Sequence, residues 1–178
     1  MTNLANSLKS LPHPWSLWLL PEKKDSIKLK KLINELSIEN GSSSFEPHVT
    51  LFGRVSITPY LLFKFFEEQT VDQKQIVSEI KDLRLGSSPW RAMFLDIQMS
   101  EVLDSFQDRI IEKLNTVRNY EFDPHLSLVY CNKKATKVSI RGVSMPRTIR
   151  FESLAVVEVP NNIDEWNIIK EFKFNFNE

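Results

Sequence analysis

The sequence contains two nearly identical segments of seven residues. Residues 45–51 read FEPHVTL, and residues 122–128 read FDPHLSL. Phe, Pro, His and the final Leu are identical, and the other three positions hold residues of the same kind. Such an internal repeat usually marks two copies of one structural unit. The chain has only 3 histidines, and each copy holds one of them, so a fold that brings the copies together would pair two imidazoles.

Each copy places a histidine and a hydroxyl on the same side of a predicted strand. Because side chains alternate between the two faces of a strand, His48 and Thr50 share a face, as do His125 and Ser127. The imidazole and the hydroxyl of one copy then lie about 7 Å apart along the strand. Core packing explains the apolar positions of the repeat but not the matched polar ones. We therefore predict that these four residues form one catalytic site.

The pattern around the repeat predicts an α+β protein. Helical spacing of apolar residues and helix-start signals predict three helices, over about residues 25–38, 58–68 and 100–114. Strands are predicted over about 15–20, 45–55, 75–85, 90–97, 122–130, 148–159 and 166–174, with a loop at 86–89. The order strand, helix, motif strand occurs twice. We expect one domain over residues 1–178, with two similar lobes around a central cleft, each an antiparallel sheet with flanking helices.

The composition narrows the classes of function. Hydrophobic residues make up 42% and charged residues 26%, as in ordinary soluble proteins. The formal net charge of +0 disfavours a protein that binds long duplex nucleic acid. The apolar run at 15–20 is too short to span a membrane, and no signal-peptide pattern begins the chain. With Cys131 as the only cysteine, no intrachain disulfide can form. These features predict a cytoplasmic protein with no membrane partner.

Metal and nucleophile chemistry have little support in the sequence. A zinc site needs three or four ligands, usually with some of them close in sequence. The third histidine, His13, lies between two prolines near the N-terminus, and no His-x-x-x-His or Cys-x-x-Cys pair occurs. The Gly-x-Ser-x-Gly motif of many serine hydrolases is also missing. We expect no metal and no cofactor, and a metal site is the lesser alternative.

Two histidines without a metal suit phosphoester chemistry. Imidazole titrates near neutral pH, so one ring can accept a proton while the other donates one. The hydroxyls of Thr50 and Ser127 can donate hydrogen bonds to the non-bridging oxygens of a phosphate as charge develops there.

The paired motifs resemble those of the 2H phosphoesterase superfamily, which is named for two His-x-Thr/Ser elements. Within it, the chain is most similar to the cyclic phosphodiesterases of yeast and plants. Four features carry this likeness: residues 15–18 (WSLW), residues 44–47 (SFEP), Tyr130, and residues 166–172 (WNIIKEF). The resemblance covers nearly the whole chain. It implies a bilobal α+β fold, no metal, and hydrolysis of 2′,3′-cyclic nucleotides to 2′-phosphates. It also implies a link to ADP-ribose 1″,2″-cyclic phosphate, a by-product of tRNA splicing.

The same resemblance implies roles for the motif residues. His48 and His125 match the catalytic histidines, with His125 as the base and His48 as the acid, although the near-symmetry of the motifs leaves this assignment open. Thr50 and Ser127 match the phosphate ligands.

Three aromatic residues are candidates for substrate binding. Tyr130 and Trp18 match aromatic positions that line the cleft of the family. Trp90 is a candidate platform for a nucleotide base, since stacking on an aromatic ring tolerates any base. For Trp18 and Trp90, core packing is an equal alternative.

A basic block follows the second motif, where relatives carry an acidic helix start. It is either a solvated loop or an electrostatic lip that attracts an anionic substrate, and a lip would favour a longer RNA end. Residues 131–150 contain six basic and no acidic residues: Lys133, Lys134, Lys137, Arg141, Arg147 and Arg150.

Two other functions remain open at this point. The first is a 2H enzyme that acts on RNA ends, as an exonuclease or an RNA ligase, and it would need a long basic groove. The second is a non-catalytic nucleotide-binding module, against which the intact motif residues argue. We expect a monomer whose partner is a small cyclic nucleotide or ADP-ribose cyclic phosphate, with RNA ends as the alternative substrate.

Overall fold

The structure is a computed structural model, and it describes residues 11–130 and 143–175. These residues form an α+β fold, which confirms the predicted class. The helices are α1 (Lys23–Asn40), α2 (Phe63–Val71) and α3 (Glu101–Leu114). The strands are β1 (Trp15–Pro21), β2 (Val49–Val55), β3 (Ile76–Ser88), β4 (Arg91–Ile97), β5 (His125–Val129), β6 (Thr148–Glu158) and β7 (Asn167–Lys173).

The seven strands form one antiparallel sheet in the order β1-β2-β5-β4-β3-β6-β7. Because β1 also pairs with β6, the first six strands in this order close into a ring, with β7 outside β6. The two predicted lobes correspond to β7-β6-β1-β2 and to β5-β4-β3. They are hydrogen-bonded to each other through β3–β6 and through the pair Val49↔Leu126 of β2 and β5. That second junction joins the two copies of the repeat directly.

The helices cover the sheet with their apolar sides. Leu29, Ile33 and Leu36 of α1 and Leu103, Phe106, Ile110 and Leu114 of α3 belong to one buried cluster that includes residues of every strand. The ends of the helices follow from sequence. The Ser100 hydroxyl accepts a hydrogen bond from Leu103 N at 3.2 Å and begins α3. Gly41, with a φ of 59°, ends α1 in the left-handed conformation that glycine adopts without penalty.

Several predicted boundaries were wrong. The motif strands, predicted from residues 45 and 122, begin only at Val49 and His125, so His48 directly precedes β2. Residues 86–88, predicted as a loop, continue β3 to Ser88. Glycine is needed there because a Cβ at Gly86 would lie 2.0 Å from the carbonyl oxygen of Arg91 on β4. The helix predicted from residue 58 begins with a 3-10 segment, Pro59–Leu62, and becomes α-helical only at Phe63. In the part of the chain that is described, no helix has the length and hydropathy required to cross a lipid bilayer.

Candidate active site

Both copies of the repeat contribute to a single cavity of about 480 Å³, referred to below as the histidine cavity. Six of the seven predicted site residues line it, and the seventh, Ser127, is buried and does not. The lining residues are Ser16, Trp18, His48, Thr50, Gly53, Arg54, Trp90, Tyr120, His125, Tyr130, Val159, Asn161 and Trp166.

The two histidines are held in the same way. Nδ1 of His48 lies 2.7 Å from the carbonyl oxygen of Glu46, and Nδ1 of His125 lies 2.7 Å from that of Asp123. Since a carbonyl can only accept, each Nδ1 carries the proton and each Nε2 is left to exchange a proton with a ligand. The matched acidic position of the repeat therefore contributes its backbone oxygen, two residues before each histidine.

His48 lies in an aromatic environment and is only 4% exposed. Its ring stacks on Trp18, with centroids 3.6 Å apart and an interplanar angle of 9°. Phe45 and Trp166 pack against it edge-on. Burial lowers the pKa of His48 to about 3, and the nearby His125 acts in the same direction, whereas the hydrogen bond to Glu46 opposes it. His48 is therefore neutral at pH 7 in the free protein.

Stacking on Trp18 favours the protonated His48 ring and so opposes the lowering of its pKa by burial, but it is too weak to reverse that lowering. A cation over an indole face gains about 0.5–2 kcal/mol. One kcal/mol changes a protonation equilibrium about fivefold, so the stack restores only part of a pKa that burial has lowered so far. We conclude that Trp18 mainly fixes the plane of the His48 ring.

His125 has a more polar environment than His48. Burial lowers its pKa, and the Arg91 cation adds to this, while the carboxylates of Asp123 and Asp96 favour the protonated ring. Asp96 lies opposite His125 in the β4–β5 register. Arg91 forms an ion pair with Asp123, which reduces its own effect on the ring. His125 is thus the easier of the two histidines to protonate, and this order opposes the expectation that His48 is the acid.

The two hydroxyls differ in their access to the cavity. Thr50 lies opposite Trp18 in the β1–β2 register and lines the wall. Ser127 is 3% exposed, and among the described residues its Oγ has no partner in hydrogen-bonding geometry. Burial raises the pKa of Tyr130 to about 12, and the nearby Ser127 hydroxyl opposes this rise. A phosphate contact by Ser127 therefore stays a prediction.

The three aromatic candidates line the cavity in different ways. Trp18 is 3% exposed, because His48 covers one face of its ring. Trp90 is 46% exposed and lies in the turn between β3 and β4, with its ring 6.0 Å from that of Tyr130. Of the three, Trp90 presents the most accessible surface for a nucleotide base, and Trp18 the least.

A family model described as cyclic phosphodiesterase-like protein matches residues 14–174. The chain belongs to this family. Its match includes both histidines and all the lining residues of the histidine cavity, and the predicted resemblance to the 2H phosphoesterases is confirmed. A curated relative, the cyclic phosphodiesterase of Arabidopsis thaliana, is 26% identical over 116 residues, which is 65% of this chain and 64% of that protein. The match thus spans just under two thirds of the relative.

Solved structures show the same fold. E. coli LigT in complex with 3′-AMP matches with a TM-score of 0.64 at 14% identity, over 93% of this chain and 100% of LigT. The protein TT0787 of Thermus thermophilus matches with a TM-score of 0.61 at 13% identity, over 93% and 100% of the two chains. At these identities, the likeness concerns the fold alone.

Sequence reasoning did not identify several cavity residues of this family member. Tyr120 lies over Gly53, where a Cβ would meet its ring at 3.3 Å. Trp166, noted only as part of the last strand, donates from Nε1 to the carbonyl oxygen of Pro160 at 3.0 Å and contacts the His48 ring. Arg54 and Asn161 were missed altogether. None of these residues belongs to the repeat, and only the fold brings them to the motifs.

The basic block does not form a lip on the histidine cavity where it is described. Arg147 and Arg150 line a different cavity, of about 530 Å³, between α1 and the start of β6. Arg150 also lies 4.0 Å from Glu22 as an ion pair. The other four basic residues of the block, Lys133, Lys134, Lys137 and Arg141, lie outside the described residues.

Potential metal ligands are scattered in the described part of the chain. Within residues 11–130 and 143–175, no three side chains of His, Cys, Asp or Glu converge as a metal site requires. The predicted absence of a metal requirement remains to be tested by chelation.

Proposed function

We propose that this protein hydrolyses 2′,3′-cyclic nucleotides to nucleoside 2′-phosphates without a metal, with His48 and His125 as its acid–base pair. One observation carries the proposal. Two histidines, one from each copy of the repeat, line one cavity, and each is held through Nδ1 by a backbone carbonyl, so that both Nε2 atoms remain available. Membership of the cyclic phosphodiesterase-like family supports the same reaction class.

The proposed reaction divides the proton transfers between the two motifs. Nε2 of the neutral base takes a proton from water, whose oxygen attacks phosphorus, and the bond to the ribose 3′-oxygen breaks as the acid protonates that oxygen. The two groups act on opposite sides of phosphorus, which suits one histidine from each copy of the repeat. Because the pKa of His48 is lowered to about 3, we assign His48 as the base and His125, beside Asp96 and Asp123, as the acid.

Hydroxyl donors complete the proposed site. Thr50 donates a hydrogen bond to a non-bridging phosphate oxygen, and Ser127 does so after a small movement of the wall. Trp90 and Tyr130 contact the base, and Trp18 acts on the substrate through the ring of His48. The substrate class includes ADP-ribose 1″,2″-cyclic phosphate, which has the same five-membered cyclic phosphate. We propose that the protein works as a monomer in the cytoplasm.

The proposal predicts activity in the presence of a chelator. Purified protein treated with excess EDTA should open 2′,3′-cyclic AMP to adenosine 2′-phosphate at the rate of untreated protein, because the acid and base are both side chains. The same assay should include ADP-ribose cyclic phosphate and an RNA with a cyclic phosphate end. Loss of activity that zinc or manganese restores would contradict the metal-free mechanism. Activity on the RNA alone would favour the RNA-end function instead.

A further inference from the structure

One end of the histidine cavity carries a positive charge that the proposed reaction does not use. Arg54 is the only Lys or Arg among the described residues that line the cavity, and no Asp or Glu lines it. The guanidinium donates from Nη1 to the carbonyl oxygen of Val159 at 3.3 Å and from Nη2 to Oδ1 of Asn161 at 3.2 Å. Both acceptors are neutral, so they orient the guanidinium without cancelling its charge.

The register of the strands separates this charge from the histidines. Trp18, which stacks on His48, lies opposite Ala155 on β6. Val159, which holds the Arg54 guanidinium, lies beyond the end of β6, where its N–H donates to the carbonyl oxygen of Pro14 at 2.8 Å. At about 3.3 Å per residue, Val159 is roughly 13 Å along the chain from the level of Trp18. The carbonyl that holds the guanidinium is therefore four residues further along the chain than the level of Trp18 and the His48 ring that stacks on it.

The backbone of Arg54 is set in an unusual conformation. Its φ of 52° is the only positive φ of a non-glycine residue among the described residues. A side chain makes this conformation unfavourable, and such residues cluster at functional sites. The Ser16 hydroxyl accepts a hydrogen bond from the N–H of Arg54 at 3.0 Å, and Arg118 donates to its carbonyl oxygen at 3.4 Å. These contacts hold the irregular backbone of β2 at Arg54, whose side chain extends to Val159 and Asn161.

We propose that Arg54 determines specificity by binding a second, non-scissile phosphate of the substrate, attached on the far side of the ribose from the cyclic phosphate. This inference rests on the proposed function. The planar guanidinium can bind a phosphate with two parallel hydrogen bonds. Within residues 11–130 and 143–175, its recorded acceptors are Val159 and Asn161, which occupy two of its five N–H groups. The preferred substrates are thus cyclic phosphates whose ribose carries a 5′-phosphate or diphosphate, rather than nucleosides without one.

Binding of unreactive product analogues tests this inference independently of turnover. Calorimetry should compare adenosine 2′-phosphate with adenosine 2′,5′-bisphosphate. We expect the wild type to bind the bisphosphate about tenfold more tightly, as one charge-assisted contact near the surface allows. In Arg54→Gln, the ratio of the two affinities should fall to about one. Lys64→Gln, which removes one positive charge from the exposed surface of α2, should keep the wild-type ratio.

Other results would overturn the inference. Equal binding of the two ligands by the wild type would exclude a site for the second phosphate. A preference that survives in Arg54→Gln would place that site elsewhere. Thermal unfolding should show that the variant is folded, and we expect it to be, because Gln is no more strained at this φ than Arg. Failure of both ligands to bind the wild type would contradict the proposed function itself, a result distinct from equal binding.

Discussion

His48→Ala and His125→Ala should each lower kcat for 2′,3′-cyclic AMP by about 10²–10⁴-fold, the usual contribution of a positioned acid or base. Each histidine is oriented by its own backbone hydrogen bond, so the loss of either leaves the other in place. Steady-state kinetics with EDTA present measure the effect.

His13→Ala is the matched control, because it removes the third histidine from an exposed position outside the cavity. Its kcat should equal that of the wild type. Circular dichroism should show that all three variants are folded, since His48 is buried and its removal leaves a gap beside Trp18. Near wild-type turnover by a folded His48→Ala or His125→Ala would rule out the two-histidine mechanism.

A substrate with a better leaving group should separate the roles of the histidines. In catechol cyclic phosphate the leaving oxygen is a phenoxide, which needs less help from an acid than a ribose oxygen. The defect of His125→Ala, the proposed acid variant, should therefore be about 10–100-fold smaller on this substrate than on 2′,3′-cyclic AMP. The defect of the base variant, His48→Ala, should stay the same on both substrates.

The opposite result would exchange the two roles. Rescue of His48→Ala alone would make His125 the base, which is the assignment that the family resemblance implies. Rescue of both variants or of neither would contradict a division into one acid and one base.

The repeat was sufficient to predict the centre of the candidate site. The pattern shared by residues 45–51 and 122–128 predicts a strand in each segment. Alternation along a strand then predicts that the histidine and the hydroxyl of one segment lie on the same face. The repeat predicted two motif strands that face each other across a cleft; their direct pairing, Val49↔Leu126, is known only from the structure. The α+β class could be predicted from the apolar periodicity of the helices and strands around the repeat. This periodicity, like the repeat, is a pattern of residues that are close together in the sequence.

What the sequence could not predict depends on contacts between distant segments. The stack of Trp18 on His48 requires β1 to lie beside β2, and the burial that comes with this packing makes His48 harder to protonate than His125. The near-symmetry of the motifs hides this difference, since the two environments come from other strands. Arg54 was missed because its conformation and its partner Val159 are visible only in three dimensions.

The proposed reaction requires two histidines in opposite protonation states, and the pH dependence of kcat/KM for 2′,3′-cyclic AMP measures this requirement. The base must be neutral, so activity should fall as pH drops towards the pKa of His48, about 3. The acid must be protonated, so activity should also fall as pH rises through the pKa of His125, which burial holds below its ordinary value. We predict a bell-shaped plot of kcat/KM against pH with its maximum below about pH 6.5. The two apparent pKa values of this plot describe the interacting pair of histidines rather than either one alone. A flat profile, or activity that keeps rising above pH 7, would contradict the account.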